Sequence, residues 1–319
     1  MNAERIDEIA NAILYEGYIL YPYRASAVKN RQRWNFGVLY PRAYSESQHG
    51  TDSWSMQTEC LVNAENIMPM LNVRIRFLQL IQGSADNKFS HYWQEGAERE
   101  VTLRDLPLGA LTGAAICEKF SFPAASNRDG IIERKQEQID GAIEIGAEVL
   151  GNALFRIRVQ VLNSTPFDDA GETSRDEALM RALASAHTIL AIKGGEFISL
   201  LEPPDEYREF AAGCKNVGTW PVLIGEQGQR DVMLSSPIIL YDYPQIAPES
   251  AGALFDGTEI DEILTLRIMA LTEEEKLEMK QSDERARQIL ERTESMTPEQ
   301  LMKMHGAFRE LRRAGREMP

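Results

Sequence analysis

LFRIRVQVL (154–162) alternates apolar and polar residues, with Phe155, Ile157, Val159 and Val161 on one side and Arg156, Arg158 and Gln160 on the other. Successive side chains of a strand point to opposite faces, so this period of two predicts a half-buried β-strand. A second stretch, NVRIRFLQL (72–80), carries the same Arg-Ile-Arg inside the same alternation. The pair reads as equivalent strands of a pseudo-symmetric sheet that show an arginine-bearing face to a partner. It reads equally as ordinary solvated strand faces, where arginine often sits between β-branched residues.

Around these two stretches, strand-like runs recur at GYILY (17–21), WNFGVLY (34–40), SWSMQTECLV (53–62), EREVTL (98–103), AAICEKFSF (114–122) and GAIEIGAEVL (141–150). Gly, Asn, Asp and Pro separate them, which predicts a mainly antiparallel sandwich or barrel-like body. Residues 3–15 predict an N-terminal helix, since Ile6, Ile9, Ala10, Ile13 and Leu14 fall on one face. Asn2 can cap its start and Gly17 can end it.

The acidic stretch PFDDAGETSR (166–175) reads as a connector after a β-rich domain spanning 1–165. Ser174 then caps an expected helix, EALMRALASAH (177–187). Hairpins are expected around Gly194-Gly195 and between Gly225 and Gly228. Residues 174–250 therefore form a smaller α+β unit or complete the first sheet, and the residues alone leave both open. Thr258, Thr272 and Thr297 each precede an acid or amide by three residues, predicting a C-terminal helical tail over 256–319. The fold class expected is α+β.

The charge balance narrows function. Lys and Arg number 34 against 49 Asp and Glu, a net charge of −15, so a general polyanion binder is not expected. Cys60, Cys117 and Cys214 are widely spaced, which favours free thiols in a reducing compartment. No export signal and no membrane-length apolar run occur, so the cytoplasm is the expected location and Asn163-Ser164-Thr165 a chance sequon.

No phosphate-loop, dinucleotide, nucleophile-elbow or zinc-protease motif is present. No cofactor or metal is expected, although His49 with Cys60, or His91 with Cys117, would make a soft-metal site if folding brought them together. Asp242, between Tyr241 and Tyr243 at the end of an apolar run, is a candidate acid or base if buried, and a cap on the strand end explains it equally well.

One segment opposes the overall charge. YPYRASAVKNRQRWNFGVLYP (21–41) holds Arg24, Lys29, Arg31 and Arg33 without an acid, bracketed by Tyr-Pro pairs. Tyr21, Tyr23 and Trp34 accompany the cations, and arginine, tyrosine and tryptophan dominate interface hot spots. These seven residues are the candidate partner-binding set, and the expected partner is a protein with an acidic patch. Nucleic acid is the competing reading, disfavoured by the acids elsewhere, and a plain solvated loop that avoids aggregation is the third.

Three stretches, LYEGYILYPYRASAVKNRQRWNFGVLYP (14–41), SSPIILYDYPQIAPES (235–250) and LFDGTEIDEILTLRIMALTEEEK (254–276), together resemble a family of cytoplasmic proteins encoded beside [NiFe]-hydrogenase structural and maturation genes. The likeness runs from about Leu14 to Lys276 and carries no catalytic residues. It implies a part in hydrogenase assembly or maturation, with a hydrogenase subunit or maturation factor as partner. The expected function is a non-enzymatic accessory or scaffold protein. The alternatives are an enzyme using Asp242, Tyr241 or His91, and a homo-oligomeric structural subunit joined by sheet edges or tail helices.

Overall fold

The computed structural model describes residues 3–14, 36–64, 69–85, 91–130, 132–151, 153–168, 171, 173–245 and scattered positions between 272 and 295. In chain order the elements are α1 (Ala3–Leu14), α2 (Arg42–Ser47), β1 (Ser55–Asn63), β2 (Met70–Ala85), β3 (His91–Pro107), α3 (Leu108–Leu111), β4 (Ile116–Phe122), β5 (Ala125–Asp129), β6 (Ile132–Gln136), β7 (Ile139–Val149) and β8 (Leu154–Asn163). They continue with α4 (Arg175–Leu179), β9 (Ala184–Lys193), β10 (Glu196–Ile198), α5 (Arg208–Ala212), β11 (Trp220–Leu223) and β12 (Val232–Ser236).

LFRIRVQVL becomes β8 and lies between β1 and β7 in an antiparallel sheet of order β10-β1-β8-β7-β4. The second sheet runs β11-β12-β9-β2-β6-β5, and β3 pairs with β2 off this path. Ile157, Val159 and Val161 of β8, with Ile143 and Ile145 of β7, share one buried cluster with Val73, Ile75 and Phe77 of β2 and Leu190 and Ile192 of β9. Burying each such side chain stabilises the fold by roughly 1.5–3 kcal/mol. The result is an α+β fold dominated by two antiparallel sheets, with the expected N-terminal helix in place.

The two Arg-Ile-Arg strands fall in different sheets and do not make one exposed arginine face. Helix α1 lies over the outer side of the second sheet, with Ile6, Ile9, Ala10 and Ile13 packed on Ile189, Val222, Val232 and Leu234. Beneath it, Arg74 Nη2 reaches Asp7 Oδ1 at 2.6 Å and Arg76 Nη2 reaches Asn11 Oδ1 at 2.8 Å. An amphipathic helix needs a sheet face to cover: β9, β11 and β12 supply its apolar part, and NVRIRFLQL supplies the two arginines beside it. On β8, Arg156 pairs with Glu148 of β7, and Arg158 stays exposed.

The stretch between 174 and 250 supplies strands to both sheets. β9 pairs with β2, and β10 pairs with β1. Its strands therefore complete the first body instead of building a unit of their own.

Three local expectations are corrected. The helix from Ser174 ends at Leu179 despite its full capping box with Glu177, and Ala184–Ala186 of the expected helix begin β9. Burial between the sheets overrides the helical propensity of that alanine-rich run. Gly194-Gly195 is not a hairpin turn: the chain passes there from the second sheet to the first. Of WNFGVLY, the described residues 36–40 contribute a single bridge, Leu39 to Leu183, because Gly37 at φ +52° and Pro41 break the extended ladder. The hairpin expected around Gly225 to Gly228 forms between β11 and β12.

GYILY and the helices expected over 256–319 lie outside the described residues, apart from a few positions. One of these, Leu290, is fully buried with Leu14, Tyr40, Leu78 and Met180. Asn163 of the sequon is also fully buried, so no glycan can be attached there in the folded chain. Among the described residues no helix is long and apolar enough to cross a membrane.

Candidate functional site

The site grows from the unusual length of β2. β9 runs beside β2 only from Met70 to Leu78, and β6 takes over that edge from Ile81 to Ala85. β3 follows the opposite edge of β2 for its whole length, and β5 pairs with β6. The far half of the β2–β3 hairpin thus becomes a four-stranded arm, β3-β2-β6-β5, extending from the sandwich.

The two faces of the arm differ. Leu78 and Leu80 point to the side covered by Tyr40, Tyr44, Phe167, Leu179 and Met180. Phe77 points to the other side, where the rings of Phe120 and Phe122 on β4 meet it at 5.9 and 5.6 Å. Strand alternation and the observed register place Gln79, Gly83, Trp93, Glu95, Arg99, Arg134 and Gln136 on this second face.

These residues form one polar platform around an indole. Trp93 stands opposite Gly83 and lies on its bare backbone. Trp93 Nε1 donates to Glu95 Oε1 at 2.6 Å, and Arg134 Nε approaches the same carboxylate at 3.2 Å. Beside this trio, Arg99 Nε donates to Gln79 Oε1 at 2.7 Å and its Nη2 to Gln136 Oε1 at 3.1 Å. The Arg99 guanidinium sits 5.3 Å from the Phe122 ring centre, within cation–π range. Gln79 Nε2 and Gln136 Nε2 donate in turn to the carbonyls of Glu137 and Pro123.

The arrangement fixes three planar groups in place while leaving them accessible. The Arg134 and Glu95 side chains keep 41% and 22% of their exposure, and Trp93 is half-buried. Arg99 meets neutral amides and a ring, and no carboxylate pairs with it among the described residues. Nearby, the Glu137 carboxyl is held below its ordinary range, chiefly by a hydrogen bond from Lys135, with Arg181 adding to it. Such a surface can recognise a partner by stacking and directed hydrogen bonds. It contains no nucleophile beside a base.

The residues singled out in the sequence are placed elsewhere. Tyr21, Tyr23, Arg24, Lys29, Arg31, Arg33 and Trp34 lie outside the described residues, as does His305. So does the side chain of His91. Tyr241 is 87% exposed, whereas Asp242 is a clamp: its Oδ1 accepts from the Leu223 N–H at 2.7 Å and its Oδ2 from Ser199 Oγ at 2.5 Å. Ser199 Oγ also accepts the N–H groups of Leu201 and Glu202. Asp242 therefore ties the end of β11 to the loop after β10.

The cysteines and histidines are likewise spread out. Cys60 is buried between the sheets, where burial pushes its thiol well above the ordinary range. His49 is exposed in a turn after α2, and Cys117 is exposed on β4. Cys214 packs with Leu61, the next residue along β1 and so on the opposite face from Cys60. Among the described residues no three His, Cys, Asp or Glu side chains are grouped to hold a metal.

The platform itself was hidden in HYWQEGAEREVTL (91–103), of which only 98–103 read as a strand. Trp93, Glu95, Ala97, Arg99 and Val101 share one face only because β3 pairs with β2 throughout; their mixed polarity gives no period of two along the chain. Arg134 and Gln136 carry no signal either, since only the pairing of β6 with β2 brings them in. No family model matches the chain, and no curated protein matches it in sequence.

Proposed function

We propose that this protein is a scaffold that binds another protein on the Trp93 platform of its β-arm, and that it works without catalysing a reaction. The observation that supports this most is the indole of Trp93 seated on Gly83 between Glu95, Arg134 and Arg99. Tryptophan and arginine supply most of the energy in protein interfaces, and rigid positioning lowers the ordering cost of binding. Arg99, without a paired carboxylate among the described residues, favours an acidic partner surface.

The family resemblance extends the proposal to a partner among the subunits or maturation factors of a [NiFe]-hydrogenase. The basic residues Arg24, Lys29, Arg31 and Arg33 would add to the same preference for an acidic surface. Affinity capture with the full-length chain, repeated with Trp93→Ala and Arg99→Glu, tests the reading. A hydrogenase subunit or maturation factor held by the wild type should be lost from both variants, with their circular dichroism unchanged. Equal capture by all three proteins would remove the platform from the account.

A further inference from the structure

We propose that two copies of this chain associate through the free edge of β3, strand against strand, around a two-fold axis at Thr102. Among the described residues β3 pairs only with β2, so its other edge offers a row of unpaired backbone groups. Exposed edges are usually guarded by charges that repel a second copy. The charges on this edge do the opposite.

Residues 99–105 read REVTLRD. Laid antiparallel on itself about Thr102, the run sets Glu100 opposite Arg104 of the second copy, Val101 opposite Leu103, and Thr102 opposite Thr102. A two-fold axis normal to the sheet preserves its faces, and the register with β2 confirms which residues share one. Thr102 and Glu100 stand opposite Arg74 and Arg76 on the α1 side, and Val101 and Leu103 stand opposite Ile75 and Val73 on the core side. The charged pairs would therefore form on one face and the apolar pairs on the other.

Other registers fail on charge or on packing. An axis at Glu100 sets glutamate against glutamate, and one at Arg99 sets arginine against arginine. An axis at Val101 keeps an opposite-charge pair, Glu98 with Arg104, but sets Arg99 against Leu103. Like charges directly opposite are destabilising, while Thr–Thr, apolar and opposite-charge pairs each add stability. The pattern selects Thr102.

Two details fit. Arg104 is exposed, and no described residue bonds to its guanidinium, although Glu98 and Glu100 nearby are engaged with Arg76 and Arg74. Val101 and Leu103 pack only partly against the core, so a second strand beside them would bury more of both. The pairing ends where β3 bulges, because Arg104 and Asp105 both fall opposite Asn72 between the Leu103–Val73 and Leu106–Leu71 pairs. Glu100, Thr102 and Arg104 take no part in the platform, although Arg99 belongs to both, so the inference is tested at Arg104 and Glu100 and not at Arg99.

The test is sedimentation velocity with light scattering on the full-length protein over a dilution series. The wild type should show a monomer–dimer equilibrium. Arg104→Glu, at an exposed position without a described bond, should weaken dimerisation at least about tenfold by setting glutamate against glutamate. Adding Glu100→Arg should restore the dimer by reversing both members of each pair. A wild type that stays monomeric at every concentration overturns the proposal. So does a dimer that Arg104→Glu leaves intact, or a double variant that remains monomeric while its circular dichroism matches the wild type.

Discussion

Trp93 and Gly83 stand directly opposite each other on the β2–β3 hairpin, and a methyl group on Gly83 would fall 2.2 Å from Trp93 Cε2. The indole thus takes the space that any other residue at position 83 would fill. Its nitrogen is thereby held at Glu95, and Glu95 is held at Arg134.

Gly83→Ala should expel the indole from this seat. A cost of about 1–3 kcal/mol is expected in urea denaturation, the usual range for forcing one methyl into a filled space. In a Trp93→Ala background the same substitution should cost much less, since the clash is gone. Equal costs in both backgrounds would mean that the ring is not where the structure puts it.

Asn163 joins the sequence-distant Leu39 and Arg181 at the heart of the molecule. Its Nδ2 donates to the Leu39 carbonyl at 2.8 Å and to the Arg181 carbonyl at 2.9 Å, and its Oδ1 accepts from the Thr165 N–H at 3.0 Å. Asn163→Ala takes this partner from the Arg181 carbonyl and the Thr165 N–H, while the Leu39 carbonyl keeps the Leu183 N–H, and should destabilise by roughly 2–4 kcal/mol. Asn163→Asp should be worse at neutral pH, because a carboxylate oxygen would face the two carbonyls. Denaturation midpoints of the two variants check the order.

His187 predicts a pH dependence. It is completely buried, its Nδ1–H donates to the Ser185 carbonyl at 2.9 Å, and its pKa is pushed down to about 4, first by burial and further by Arg76 and Arg74. The folded state therefore keeps the ring neutral while the unfolded chain takes up a proton near pH 6.5. Stability from this group is complete above that value and falls as the pH drops towards 4, by on the order of 3 kcal/mol. His187→Asn, which keeps the donor but cannot titrate, should flatten this part of the stability–pH curve. A curve of unchanged slope between pH 6.5 and 4 would contradict the assignment.

Local chemistry made much of the fold legible. The alternation of LFRIRVQVL and NVRIRFLQL identified β8 and β2, and the spacing of Ile6, Ile9, Ala10 and Ile13 identified both α1 and its buried face. The misreadings have a common cause. Ala184–Ala186 have helix-forming neighbours, yet they open β9 buried, with Ala184 opposite Leu78 of β2, where burial outweighs propensity. Asp242, which its neighbours along the chain left between an acid–base group and a strand-end cap, takes the Leu223 N–H on one oxygen and the Ser199 hydroxyl on the other.

The sequence by itself determined the apolar periods, and with them the strands β8 and β2, the buried face of α1, and that REVTLRD complements its own reverse. Those properties need only neighbours along the chain. The tertiary structure alone decided that β6 replaces β9 beside β2 and so carries Arg134 and Gln136 to Trp93 and Arg99. Such a meeting depends on pairing between strands about 50 residues apart, and the entropy of closing such loops leaves no trace in local sequence.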